Sequence, residues 1–177
     1  RDLKTPEGSS AFKSLVNDLG KTPGGQSALF QGLARGLASP EGRQTFSMAM
    51  REASEPAFRV LADSSATPAG RTNLTSFLRE PETRTSLLPT MAEATRSAEG
   101  RDQAARLMDN LRQDPAASKA LLSSWRQTTA TPQGRADFGT LMQNIGKDSA
   151  TSGSLVNTLT SATSSKEGLA DFARTAA

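Results

Sequence analysis

Five arginines occupy the same place in five short phrases. Arg43, Arg71, Arg84, Arg101 and Arg135 follow the tetrads SPEG (39–42), TPAG (67–70), EPET (80–83), SAEG (97–100) and TPQG (131–134). Ser or Thr ahead of Pro marks a helix start, and the free amides of a helix N-terminus with a guanidinium beside them can hold an anion. The chemistry this spacing offers is therefore capture of a phosphate or an acidic partner. A nucleotide loop of the Walker kind needs G-x-x-x-x-G-K-[ST] after a buried strand, and neither feature is present. The preferred reading of the five arginines is structural, each guanidinium pairing with a Glu of its own or the next turn.

Other chemistry is thin. The chain has no Cys, no His and no Tyr, which removes disulfides, thiolate nucleophiles, Cys/His zinc sites and imidazole acid–base catalysis. The carboxylate pairs Glu80/Glu82 and Glu52/Glu55 fall on polar tetrads or helix ends, where solvated surface charge is the usual state. Serines are plentiful, but without His no triad forms. No catalytic residue, cofactor or metal is expected. The sequon Asn73-Leu74-Thr75 straddles a core Leu and reads as chance. Trp125 and most of the seven Phe fall on the apolar stripe described below, as do Met50, Met91, Met108 and Met142, so packing rather than base stacking or a soft binding strip is their expected role.

These residues sit on elements that recur. Pro6, Pro23 and Pro40 are 17 residues apart, and the same interval joins Pro81, Ala98, Pro115, Pro132, Ser149 and Lys166. With the Ser, Thr or acid of each tetrad counted as place one, place eight holds Phe12, Leu29, Phe46, Leu74, Leu87, Ala104, Leu121, Phe138, Leu155 and Phe172. Places eleven, twelve and fifteen are also apolar, as in Leu107, Met108 and Leu111, or Leu141, Met142 and Ile145. This is one face of a helix, and strand-like alternation is missing. The tetrad ends one helix and caps the next, Pro fits the first turn, acids there suit the helix dipole, and Gly at place four eases a tight turn.

Helices of about 11–13 residues are marginal alone and bury their stripes on neighbours. The expectation is an all-α, α-solenoid-like array of about ten or eleven short helices in antiparallel succession, two to every 34 residues. That pair length is shared with tetratricopeptide arrays and with TAL-effector repeats, but the signature residues of neither are here, so no family is assigned. Residues 1–4 read as a tail and 5–177 as a single domain. Sub-arrays 5–54 and 84–177 would be joined by truncated units at 55–83, with a bend near 51–83, and the polar last units read as a cap or a frayed end.

Mean hydropathy is −0.48, no apolar run reaches bilayer length, and basic residues exceed acidic ones by only three, 21 against 18. Fifteen of the 21 are Arg, which fits a GC-rich bacterial coding bias. The chain opens on Arg1 rather than Met and reads as a processed or excised piece. Together these imply a non-catalytic scaffold or protein-binding module of a larger bacterial protein, whose partner is another protein or a neighbouring domain. The alternative is electrostatic binding of nucleic acid or an acidic ligand through the arginine row. Cytoplasm and cell surface are not separated by this sequence.

Overall fold

A computed structural model describes residues 54–164 continuously, with the side chains of Ser54, Pro56, Ala57, Glu82, Thr83 and Arg84 left aside, and upstream only Ser10, Ala11, Ser14, Asp18, Thr22, Gly24, Gly25 and Ala28. The tail at 1–4, most of the sub-array at 5–54 and the last unit from 165 lie outside the described residues. Among those described, the fold is all-α, with seven helices and no strand. They are α1 (Ser54–Ser65), α2 (Pro68–Arg79), α3 (Pro81–Ala94), α4 (Ala98–Arg112), α5 (Pro115–Thr129), α6 (Pro132–Ile145) and α7 (Ser149–Ala162).

Helix starts follow local chemistry. The Thr67, Ser97 and Thr131 hydroxyls accept from the amides of Gly70, Gly100 and Gly134 at 3.0, 2.9 and 3.0 Å. Asp114 accepts from Ala116 and Ala117, and Asp148 from Thr151. Each bond satisfies an amide that the helix itself leaves open. Upstream, Thr22 accepts from Gly25 in the same way at 3.0 Å. Glu80 departs from the pattern, since it ends α2 and begins α3 with no side-chain capping bond.

The apolar stripe is the core. Leu74, Leu87, Ala104, Leu121 and Leu155 at place eight are buried, as are Leu78, Met91, Met108 and Trp125 at place twelve. Phe77, Leu107 and Leu141 at place eleven and Leu111 and Ile145 at place fifteen join them. Phe138, Met142 and Leu159 are half-buried against this cluster. The ring of Trp125 meets Phe138 edge-on, centroids 5.8 Å apart.

The order in which helices stack differs from the expectation. Each helix packs most extensively on the one three places away: α1 on α4, α2 on α5, α3 on α6 and α4 on α7. Stacked helices run parallel. Thr151, Thr158 and Ser161 of α7 reach the carbonyls of Arg101, Met108 and Arg112 in that order along α4. Asn110 near the end of α4 reaches Ala62 near the end of α1, and Asn144 near the end of α6 reaches Ala92 near the end of α3. Strict antiparallel succession is thereby excluded, because three reversals would set α4 against α1 head to tail. The chain instead turns partway at each junction and regains its direction after three helices, in a circuit of three rather than a pair. The shorter helix α2, of 12 residues, and the described part of α1 take ordinary places in these stacks.

Candidate functional site at the helix junctions

The junctions hold the sequence-predicted site residues. A helix ends with carbonyls that lack intrahelical donors, and a buried end without partners is costly. At the start of α2 the carbonyl of Ser64 receives the Thr67 amide at 3.2 Å and the Thr67 hydroxyl at 3.3 Å. Arg71 Nη1 then donates to the next two carbonyls, Ser65 at 3.0 Å and Ala66 at 3.2 Å. The start of α4 repeats the arrangement, with Ser97 on the Ala94 carbonyl and Arg101 on those of Thr95 and Arg96, both at 3.1 Å. So does the start of α6, with Thr131 on Thr128 and Arg135 on Thr129 and Ala130 at 3.2 and 3.4 Å. One hydroxyl and one guanidinium thus satisfy three successive carbonyls.

The glycine at place four has a role that its usual turn preference does not convey. A Cβ on Gly70, Gly100 or Gly134 would lie 1.7, 1.8 or 1.9 Å from the carbonyl oxygen of Ser64, Ala94 or Thr128. These are the same carbonyls that the capping hydroxyl binds. Gly is required there because the new helix starts against the backbone of the old one, and each of the three lies inside its helix, not in a preceding turn.

The other junctions solve the problem differently. Where the cap is Asp114 or Asp148, place four holds Ala117 or Thr151, and place five holds Ser instead of Arg. Ser118 donates to the Leu111 carbonyl at 2.8 Å and Ser152 to that of Ile145 at 3.0 Å. The hydroxyl has moved from place one to place five and serves the equivalent carbonyl. From Thr67 through Glu80, Ser97, Asp114, Thr131 and Asp148 the caps alternate between hydroxyl and carboxyl.

Expected pairing of the arginines with Glu is replaced by pairing with carbonyls at Arg71, Arg101 and Arg135. Nor do the three line up on one stack: Arg71 belongs to the α2–α5 stack, Arg101 to α1–α4–α7, and Arg135 to α3–α6. Arg43 lies outside the described residues, and Arg84 is placed on α3 by its backbone alone. Glu80 is exposed at its junction, and Glu55 is half-buried in the first turn of α1.

The Asp148 carboxyl is shifted clearly in its acidity. Its oxygen accepts from the hydroxyl and then the amide of Thr151, and these bonds, joined by the nearby Arg101 charge, outweigh the upward push of desolvation and hold its pKa below the ordinary value. Thr151 Oγ1 also lies 3.2 Å from the Arg101 carbonyl, where α7 meets α4, but its single proton is taken by Asp148 in the shorter contact.

Two residues that sequence reasoning missed pin the stacks together. Asn110 Nδ2 donates to the Ala62 carbonyl at 3.2 Å and to Ser65 Oγ at 3.0 Å. Asn144 Nδ2, buried, donates to the Ala92 carbonyl at 3.0 Å and to Thr95 Oγ1 at 3.4 Å. Both stand at place fourteen of hydroxyl-capped units, which is the signal that marks them. A shallow cleft of about 320 Å³ between α1 and α4 is lined by Ala62, Asp63, Ala66, Arg106, Asp109 and Asn110. Its groups are largely paired internally: Arg106 with Asp63 at 3.4 Å and Asp102 at 3.2 Å, Asp109 with Ser154 at 3.0 Å. Among the described residues no three His, Cys, Asp or Glu side chains gather as metal ligands, and no helix is long and apolar enough to cross a membrane.

Known relatives add nothing to this geometry. Comparison with protein families, with curated proteins and with solved structures finds no match to the chain.

Proposed function

We propose that the chain is a non-catalytic helical scaffold or protein-binding module and a segment of a larger bacterial protein. One observation supports the reading above others: a constant junction carries variable outward faces. The Thr/Ser, Gly and Arg of the hydroxyl-capped junctions are engaged with backbone at α2, α4 and α6 alike. The residues that these helices expose differ, with Asn73, Ser76 and Arg79 on α2, Asp102, Arg106 and Arg112 on α4, and Ala136, Gly139 and Gln143 on α6. Repeat arrays use such a division of labour to hold another macromolecule on an extended surface. The test is capture from the native cell with the full chain, repeated after Arg79, Arg112 and Gln143 are changed to Ala. A specific partner should be lost or weakened in the variant, whereas retention of every captured protein at wild-type level counts against a binding surface on these faces.

The second reading, electrostatic binding of nucleic acid or an acidic ligand, draws on one feature. Arg135 is exposed and uses a single terminal nitrogen on its two carbonyls. Binding to DNA or RNA that persists at physiological salt, falls steeply as salt rises and disappears when Arg84, Arg101 and Arg135 become Ala favours this reading over the first.

A further inference from the structure

The last described helix is seated in a way the others are not. α4 and α5 bury Leu107, Met108, Leu111, Leu121, Leu122 and Trp125, each 2% exposed or less. α7 contributes Leu155 at 8% exposed and a half-buried Leu159, while Val156 is 60% exposed. No charged residue lies between Asp148 and Lys166, and α7 consists mostly of Ser, Thr, Ala and Gly. It is held on α4 by hydroxyls: Ser154 on Asp109 Oδ2 at 3.0 Å, Thr158 shared between the Met108 carbonyl at 2.9 Å and the Ser154 carbonyl of its own helix at 2.8 Å, and Ser161 on the Arg112 carbonyl at 3.4 Å.

Water can replace each of these bonds when the helix leaves, so their net contribution is small, whereas nothing in water replaces apolar burial. The connection to α6 is short and exposed, Gly146 and Lys147, followed by the cap Asp148. A helix with little apolar seating and a solvated connection belongs to the low-stability end of the molecule.

We propose that α7 is a detachable strap. It leaves α4 and α5 in a sub-global opening while α1–α6 stay folded, and it uncovers the stretch of α4 around Met108, which is fully buried in the closed form. The opening is a property of the fold and does not depend on what the array binds.

Native-state hydrogen exchange on the full chain, with low denaturant added, tests this. The amides of 152–162 should exchange through an opening at least about tenfold more frequent than those that expose α5, and less sensitive to denaturant. Gly139 on α6 supplies the discriminating variant, since a Cβ there meets nothing within 4 Å. Gly139→Ala stabilises the closed and the strap-open forms alike, so it should leave exchange in α7 unchanged and slow about two- to five-fold the amides of α5 and α6 that exchange only when the rest of the chain unfolds. Thr158→Val should speed exchange in α7. If α7 and α5 exchange through one opening, and Gly139→Ala slows both together, the helix is part of a single cooperative unit and the strap is refuted.

Discussion

Gly134 and Gly139 lie on the same helix, and the same substitution should move stability in opposite directions at the two. Gly139 has nothing within 4 Å of an added Cβ, so Gly139→Ala only removes the backbone freedom that glycine retains when unfolded. The expected gain is about 0.5–1 kcal/mol. At Gly134 the same carbon would sit 1.9 Å from the Thr128 carbonyl oxygen and 2.6 Å from its carbon. A carbon approaches a carbonyl oxygen no closer than about 3.3 Å, so the start of α6 must retreat by more than an ångström from the end of α5. That retreat breaks the capping bond from Gly134 to Thr131, a loss of about 0.5–2 kcal/mol. It also pulls Arg135 from the Thr129 and Ala130 carbonyls, a charge-assisted contact of about 1.5–3 kcal/mol before discounting for its exposure. With the Arg135 contact halved for its exposure and the helix-propensity gain subtracted, Gly134→Ala should destabilise by about 0.5–3 kcal/mol. Urea denaturation followed by far-UV circular dichroism measures both variants in one experiment. Two variants of equal stability, or a gain at Gly134, would refute the claim that the junction rests on contact between glycine and carbonyl.

Three further outcomes follow from the same geometry. Arg101→Ala should lower stability by about 1–2 kcal/mol, and Arg101→Lys should recover little of it, because a single ammonium does not reproduce the reach of a guanidinium to two carbonyls; full rescue by Lys in thermal melts would contradict the assignment. Asn144→Leu removes the donor to the Ala92 carbonyl and should cost about 1–3 kcal/mol, whereas Asn157→Ala on the exposed side of α7 should be silent in the same melts. Asp148 has a folded-state pKa below its ordinary value near 3.8, so its charge contributes stability that is complete above that value and is lost as pH falls through the lower folded value. Asp148→Asn should therefore differ from wild type in urea midpoint at pH 7 by an amount that shrinks as the pH is taken below 3.8, and a constant difference across that range would rule out the carboxylate as the source.

Helix starts could be read from the chain because capping is local: Thr67, Ser97 and Thr131 sit three residues before the amides they bind. The stripe through Leu107, Met108 and Leu111 was readable for the same reason, since a helical period needs only one turn of context. The stacking order was not readable. It depends on the angle through which each junction turns, and junctions with Gly70, Gly100 or Gly134 at place four alternate with junctions that have Thr83, Ala117 or Thr151 there, so no one residue type marks that angle. The partners of Arg71, Arg101 and Arg135 were misassigned for a related cause. A guanidinium in a sequence draws attention to carboxylates, while its acceptors here are carbonyls that every residue carries. Asn110 and Asn144 bond to helices 48 and 52 residues back, beyond any local window, although their shared place in alternate units was visible.

The alternation of hydroxyl and carboxyl caps has a consequence for how such a chain can lengthen. Because three is odd, an alternating series wound three to a circuit always sets unlike on unlike: Asp148 above Ser97, Asp114 above Thr67, Thr131 above Glu80. Removal of one unit, residues 114–130, would bring Thr131 over Thr67 and Asp148 over Glu80, like on like at every later level. Removal of two units, residues 114–147, would leave Asp148 over Thr67 and keep the rule. A chain shortened by 34 residues keeps this pairing, and in urea denaturation it should prove more stable than one shortened by 17.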